Sequence, residues 1–371
     1  MAAPAAPPQI RFSDLSRRAK LCLLALLTVF VLGGLEVAAR TYWWRTRGVP
    51  FAHPELAWKS FVEEWDRSGV EAVAPHHGDA SFDVLLLGGS TLTDQYGTIP
   101  QELTRALQGR LPWPVRLVNL AAAGRVSFDS RLKYGWLEDR RFDLVIVYDG
   151  INDTPMNWVP PGPLPLDGSN VPRLRQLQFL RGCAEMRYLA LPATMGYVGQ
   201  RVAEKWRLYT HPRKEWAAYG ADVRTPELFR ANLEAIAAAA RRRGDPLVLQ
   251  TFAYHIPPNY TDAAFAAKAL SYDQHWSPVS IWGEPANVIA AVDAHNAVAR
   301  AVAAEHPEVT FVDQRALIPG GKTHFNDCCH MTPAGCRLWV ENLIAKLDLS
   351  ALVRHRTVQR PDESGRADRL R

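Results

Sequence analysis

The chain of 371 residues has no Cys-x-x-Cys pair and no His-x-x-x-His spacing. Those are common ligand spacings of zinc sites, and their absence removes the sequence support for one. There is no internal repeat, which excludes a solenoid or propeller built from copies of one unit. The centre of the chain also has no excess of positive charge. The formal net charge is +5, but residues 1–20 and residues 351–371 each carry a net +3, leaving the remainder at about −1. The basic character therefore sits in the two tails. A nucleic-acid partner, which needs a basic patch on the folded domain, is not expected. Hydrophobic residues make up 47% of the sequence, ample for one large domain with a full core.

One long apolar run is present, Leu21 to Ala39. A membrane span needs about 20 such residues, so residues 20–39 are expected to form a transmembrane helix. Arg17, Arg18 and Lys20 precede it, which favours a cytoplasmic N-terminus for residues 1–19. Tyr42, Trp43 and Trp44 follow it as an aromatic belt at the far interface, while Arg40, Arg45 and Arg47 work against that orientation. Glu36 sits near the outer end, where its carboxylate is within reach of the interface. A cleaved signal peptide is the competing reading. The aromatic belt, and the lack of a small-x-small site before a polar mature start, favour an uncleaved anchor. The rest of the protein would then lie on the extracytoplasmic side. In that compartment Cys183, Cys328, Cys329 and Cys336 admit two readings: a bridge from Cys183 to Cys328 or Cys329, or buried free thiols.

After a membrane-proximal linker over 40–80, with helix expected over Glu55–Glu64, strand and helix patterns alternate. Strands are expected at Val84–Leu87, Val115–Leu120, Leu144–Tyr148, Leu247–Phe252 and Val309–Val312. Helices are expected at Pro100–Leu111, Phe128–Glu138, Pro226–Arg243, Pro285–Glu305 and Thr332–Leu347, the last with Thr332 as N-cap and Pro333 at its first position. Such alternation predicts an α/β domain with a parallel sheet over residues 81–346. Two stretches break it. Residues 155–225, rich in Pro, Trp, Tyr and Arg and including Trp158, read as an insertion or lid. Residues 253–284 carry Tyr254, His255, Tyr272, His275, Trp276 and Trp282, either as ordinary loop packing or as walls of a site. Residues 347–371 are charged and read as a disordered tail.

Chemistry-bearing residues fall at the C-terminal ends of these strands, the edge where open parallel sheets build sites. Gly88-Gly89-Ser90 follows the first strand, Asn119 to Gly124 the second, and Gly150-Ile151-Asn152-Asp153 the third. Asp327-Cys328-Cys329-His330 follows the fifth. The three-residue spacing of Asp327 and His330 lets one turn hold a carboxylate against an imidazole, making a general base that needs a nucleophile. Ser90 supplies one. A Gly in a small-residue loop brings a bare backbone N–H to a ligand, and an Asn amide donates to an oxyanion. Each motif alone is commonplace in turns and caps. Together, in this order, they are the inventory of acyl transfer.

The four blocks resemble those of the SGNH (GDSL-type) hydrolase superfamily, which carries Ser, Gly, Asn and His in this order. The resemblance spans roughly residues 81–346. Gly89 departs from the family's name motif, which has Asp there, although that Asp is not the catalytic acid. The resemblance implies a three-layer α/β/α sandwich around a five-stranded, flavodoxin-like parallel sheet. It implies Ser90 as nucleophile, His330 as base and Asp327 as its orienting carboxylate. The Ser90 and Gly124 backbone N–H groups and the Asn152 amide would form the oxyanion hole, with no metal or cofactor. A membrane-anchored esterase acting on lipid or glycan esters is the leading expectation. An acyltransferase that moves an acyl group onto an exported polysaccharide, and a non-catalytic scaffold, are the others.

Overall fold

The computed structural model describes residues 15–57, 81–158, 186–210 and 222–359, together with positions 70, 73, 164 and 166. Its elements run α1 (Arg17–Arg47), β1 (Phe82–Gly88), α2 (Ile99–Gln108), β2 (Val115–Asn119), α3 (Ser127–Trp136) and β3 (Leu144–Tyr148). They continue with α4 (Ala190–Thr210), α5 (Thr225–Arg243), β4 (Leu247–Gln250), α6 (Asp262–Ala266) and α7 (Pro285–Glu305). The last are β5 (Thr310–Val312), α8 (Gln314–Leu317), α9 (Pro333–Lys346) and α10 (Leu349–Gln359). The chain divides into two compact units. One comprises residues 1–64 and 176–205, the other residues 65–175 and 206–371.

The larger unit is built on a parallel sheet in the order β2-β1-β3-β4-β5. All seven residues of β1 are buried, as a central parallel strand covered on both faces requires. The period of two along each strand divides the apolar side chains between two cores. Val84, Leu86, Ile146 and Val248 face one core with Ile99, Leu103 and Leu107 of α2 and Trp339, Val340 and Leu343 of α9. Leu85, Leu87, Val145, Val147, Leu247 and Leu249 face the other with Tyr134 of α3 and Phe229, Leu233 and Ile236 of α5. The product is the expected three-layer α/β/α sandwich with a five-stranded, flavodoxin-like sheet. The strand order reverses between β1 and β3, so the crevice at their carboxyl ends is the topological switch point.

Two expectations need correction. The 347–371 segment is not wholly an unstructured tail, because α10 folds onto the domain. Arg356, 2% exposed, bonds through Nη1 to Asp143 Oδ2 at 2.7 Å and lies 4.6 Å from the Trp113 ring centroid. Residues 155–225 are not one insertion of the α/β domain, since residues 176–205 belong to the N-terminal unit. Most of that stretch, with Cys183 and the side chain of Trp158, lies outside the described residues, as does the helix expected over 58–64. Of the two readings of the cysteines, the buried free thiol holds for Cys328, Cys329 and Cys336 among the described residues.

The smaller unit contains α1 and the first part of α4. Helix α1 starts at Ser16, whose Oγ accepts the Ala19 N–H at 3.2 Å. Its 31 residues rise about 46 Å at about 1.5 Å each, and it is long and apolar enough to cross a membrane. Glu36 Oε1 accepts from Arg40 Nε at 2.7 Å, and the same carboxylate accepts the N–H groups of Ala190 at 2.8 Å and Leu191 at 2.9 Å. Trp43 donates to Thr194 Oγ1 at 2.9 Å, and its ring meets that of Tyr197.

Candidate active site

Ser90 leaves β1 on a single 3₁₀ turn, Ser90–Leu92, and is 7% exposed. The turn is stitched to the neighbouring strand by Asn119, which donates from Nδ2 to Leu92 O at 2.7 Å and accepts the Ala121 N–H at 3.0 Å. The next loop is tied to the same place, with Ala122 N donating to Gly88 O at 3.2 Å. Gly124 follows at φ +68°, the left-handed region that a residue with a Cβ adopts at a cost.

Ser90 Oγ lies 2.8 Å from His330 Nε2, although 240 positions separate the two residues. His330 Nδ1 lies 2.7 Å from Asp327 Oδ2, which fixes the neutral imidazole with its proton on Nδ1 and its lone pair toward the serine. Asp327 is fully buried and accepts three further N–H groups, from Cys329 at 2.9 Å, His330 at 2.8 Å and Ser277 at 3.1 Å. The turn is closed by an antiparallel bridge between Phe325 and Met331 and by Asn326 N donating to His330 O at 2.8 Å. Thr332 then caps α9, accepting the Gly335 N–H at 3.1 Å. Backbone hydrogen bonds, not a disulfide, hold Asp327 against His330.

The cysteines between them are spectators of that geometry. Cys329 Sγ is 3.6 Å from His330 Nδ1. Burial raises the pKa of both thiols above the ordinary cysteine range, that of Cys329 strongly, so they remain protonated. Asp327, Cys328 and Cys329 offer three potential metal donors within 4.8 Å of one another. With the carboxylate occupied by four N–H groups and both thiols protonated, the set is poorly matched to a metal ion.

Asn152 joins the site from the end of β3. Its Nδ2 donates to Arg125 O at 2.9 Å and its Oδ1 accepts from Trp282 Nε1 at 2.9 Å, so the amide is oriented at both ends. Its nitrogen comes against the nucleophile turn: a Cβ on Gly89 would stand 2.6 Å from Asn152 Nδ2. The glycine that departs from the family motif is thus the residue that lets this amide approach. Asp153, beside it, is structural. It accepts from Ser127 N at 3.1 and 3.2 Å and from Ser127 Oγ at 2.6 Å, anchoring the start of α3. Burial, with the charge of Asp149 second, raises its pKa well above the carboxylate range, and burial lifts Asp149 to about 7.

The histidine has an aromatic cover made of Tyr96, which no sequence motif marks, and Trp276, one of the aromatics of 253–284. Tyr96 stacks on the imidazole of His330 with centroids 4.4 Å apart and planes 19° apart. Trp276 lies 6.2 Å from both rings and is 46% exposed. It is presented by His275, whose φ of +63° is uncommon for a residue with a Cβ, and the next residue, Ser277, supplies the N–H to Asp327. The other aromatics of 253–284, Tyr254, Tyr260, Tyr272 and Trp282, are buried packing. Ser90, His330 and Asp327 are linked directly by these contacts, and Asn152 comes against Gly89, next to Ser90. Gly124 is bracketed by Ala122, tied to Gly88, and Arg125, tied to Asn152.

No family model matches the sequence, and no curated protein matches it. Solved structures do. An α/β hydrolase enzyme from the metagenome of Lake Arreo, Spain, is 17% identical over 76% of this chain and 99% of that one, with a TM-score of 0.40. A GDSL-like lipase from Bacteroides thetaiotaomicron is 11% identical over 79% of this chain and 98% of that one, with a TM-score of 0.42. An acetylxylan esterase from Geobacillus stearothermophilus is 14% identical over 72% and 94%, with a TM-score of 0.40.

Proposed function

We propose that the chain is a membrane-anchored serine esterase of the SGNH type, cleaving carboxylic esters on lipids or glycans through an acyl-enzyme on Ser90. The observation that carries this is the continuous relay from Ser90 Oγ through His330 to Asp327, at 2.8 and 2.7 Å. In the first half-reaction Ser90 Oγ bonds to the ester carbonyl carbon as its proton passes to His330 Nε2. The carbonyl oxygen becomes an oxyanion, received by the Ser90 and Gly124 N–H groups and the Asn152 amide. When the C–O bond to the leaving alcohol breaks, that alcohol takes the proton from His330. In the second half, water gives a proton to His330 and attacks the acyl carbon, releasing the carboxylic acid and regenerating Ser90. Asp327 keeps the imidazole in the required tautomer and stabilises its charged form. No metal or cofactor enters these steps.

An acyltransferase would use the same site, with a sugar hydroxyl in place of water. The exposed face of Trp276 beside His330 is the feature that favours it, since an aromatic face of this kind stacks on a pyranose ring. The basic residues ahead of the apolar run of α1 and the aromatic belt after it support a single-pass anchor with the catalytic unit outside the cytoplasm.

The test is direct. Ser90→Ala and His330→Ala, purified and folded, are expected to lose hydrolysis of p-nitrophenyl acetate by about 10⁴-fold or more. A fluorophosphonate probe is expected to label the wild type and not Ser90→Ala. Unchanged turnover in either variant overturns the reading. An acyl-chain-length series, run with and without a sugar acceptor, then separates lipid from glycan substrates and hydrolysis from transfer.

A further inference from the structure

The smaller unit exposes an apolar surface on a second element besides α1. Met186, Tyr188 and Leu189 in the turn before α4, and Met195, Val198 and Val202 on α4, are each between 43% and 60% exposed. Met195, Val198 and Val202 are spaced by three and four, so they form one stripe along the helix. The face across from it carries Ala190 and Ala193, buried against Ala39 and Trp43 of α1. Residues 190–200 contain no Asp, Glu, Lys or Arg. A helix of a water-soluble unit would place polar residues on its outward stripe.

The two helices run parallel, and their register sets a depth. Ala190 and Leu191 meet Glu36, whereas Thr194 and Tyr197 meet Trp43. Glu36 lies seven residues before Trp43 in the aromatic belt, about 10 Å along α1. Helix α4 therefore begins well inside the level at which α1 reaches the interface. A helix N-terminus placed there has N–H groups with no water to satisfy them. Glu36 supplies what water cannot, its carboxylate accepting the N–H groups of both Ala190 and Leu191. Arg40 balances the charge and donates to Phe51 O at 3.0 Å and Tyr188 O at 3.0 Å, so the carbonyl of the entering turn is satisfied as well. This also revises the place of Glu36. It does not reach outward to the interface but serves as the cap of a neighbouring helix. An ionisable residue in an apolar span is costly and is retained where a partner uses it.

We infer that the turn 186–189 and the first three turns of α4 form a second membrane-contacting element, seated beside α1 in the leaflet that α1 leaves. Its outward stripe meets the acyl chains and the inner headgroup region. The inference rests on the reading of α1 as a membrane anchor. Lipid is the occupant because the stripe continues the exposed apolar surface of α1, where Val31, Leu35 and Val37 are also about half exposed. The unit is thereby a two-element membrane foot, with the chain re-entering the leaflet far along the sequence from its anchor.

The experiment uses the full chain, with Cys22 and Cys183 replaced by Ser, reconstituted into vesicles of phosphatidylethanolamine and phosphatidylglycerol. Cys328, Cys329 and Cys336 are buried and do not take a label in the folded protein. A nitroxide is placed singly through Met195→Cys, Val198→Cys, Leu27→Cys on α1, and Lys268→Cys as an aqueous reference. Relaxation by oxygen, which partitions into lipid, is compared with relaxation by a water-soluble nickel chelate. The expected oxygen-to-nickel ratio at 195 and 198 is severalfold above that at 268 and, because both lie near the level of Trp43, below that at 27. A ratio at 195 and 198 equal to that at 268, with 27 still in lipid, overturns the inference and leaves the anchor standing. Low accessibility to both reagents at 195 and 198 also overturns it, because a protein surface then covers the stripe. An aqueous ratio at 27 removes the anchor reading and this inference with it.

Discussion

The side-chain amide of Asn152 lies where a side chain on Gly89 would stand. A methyl group on Gly89 would come 2.6 Å from Asn152 Nδ2, and that amide is fixed at its other contacts by Arg125 O and Trp282 Nε1. Gly89→Ala is therefore expected to push the amide away from the Ser90 turn without disturbing the core. The expected loss is about 10²–10³ in kcat, the usual cost of losing one oxyanion donor. Adding Asn152→Ala to Gly89→Ala should cost little more, because the donor is already displaced. Additive losses in a steady-state ester assay would show that the two residues act separately.

Tyr96 holds the flat face of His330 at 4.4 Å. Tyr96→Ala should let the imidazole turn away from Ser90 and lower kcat about tenfold, while Tyr96→Phe keeps the stacked ring and restores the rate. The restoring variant separates stacking from any role of the hydroxyl. A Phe variant as slow as the Ala variant would assign the effect to that hydroxyl instead.

The thiols of Cys328, Cys329 and Cys336 are free, buried and raised in pKa by that burial. Iodoacetamide at pH 8 is expected to leave all three unmodified in the native protein and to alkylate them after denaturation, read by peptide mass. Dithiothreitol should change neither the melting temperature nor the ester rate. A drop in either would mean that the Asp327–His330 turn is held by a bridge after all.

His295 is a buried base with a defined proton. Its Nδ1 donates to Gly150 O at 3.1 Å and its Nε2 accepts from Thr225 Oγ1 at 2.7 Å, and burial depresses its pKa to about 4. In the unfolded chain it titrates near its ordinary value of 6.5. Below that value the unfolded state binds the proton and the folded state does not, so stability is present above pH 6.5 and is lost as pH falls through 4. The loss amounts to roughly 3 kcal/mol at about 1.4 kcal/mol per pKa unit. Asp149 works in the opposite sense: its stabilisation is present below the unfolded carboxylate pKa and is lost as pH rises through about 7. Urea denaturation of wild type and His295→Gln cancels the Asp149 contribution. The gap between them should narrow by about 2 kcal/mol between pH 7 and pH 4.5. A constant gap would refute the assignment of a neutral buried histidine.

Arg356 and Asp143 are 2% and 4% exposed, and their ion pair carries α10 onto the domain. Removing one member strands the other, so Arg356→Ala should cost about 3–5 kcal/mol. Arg354→Ala, two residues away on an exposed side chain, should cost little. Equal effects in chemical denaturation would detach α10 from the domain's stability.

The strands and the catalytic blocks were legible because their signals are local. Val84–Leu87 and Leu144–Tyr148 are unbroken apolar runs, Thr332-Pro333 marks a helix start, and Asp327 and His330 share one turn. What escaped depends on distant pairing. Arg356 looks like one charge in a charged tail until Asp143, 213 positions earlier, is placed beside it. Residues 186–205 carry no marker of their attachment to α1, because the tie is the side chain of Glu36 in another part of the chain. Tyr96 on His330, and Gly89 as clearance for Asn152, are likewise relations in space. Of the Asn-Asp dipeptide, Asn152 lies against the Ser90 turn, while Asp153 proved to be the anchor of Ser127, the commoner use of such a residue at a helix start.

The 240 positions between Ser90 and His330 have a consequence for biosynthesis. Ser90 is made when about a quarter of the chain exists, and His330 only when about nine-tenths does. No chain that stops before residue 330 has both. The contact between them therefore forms late in synthesis, when the segment after the final strand closes over the sheet.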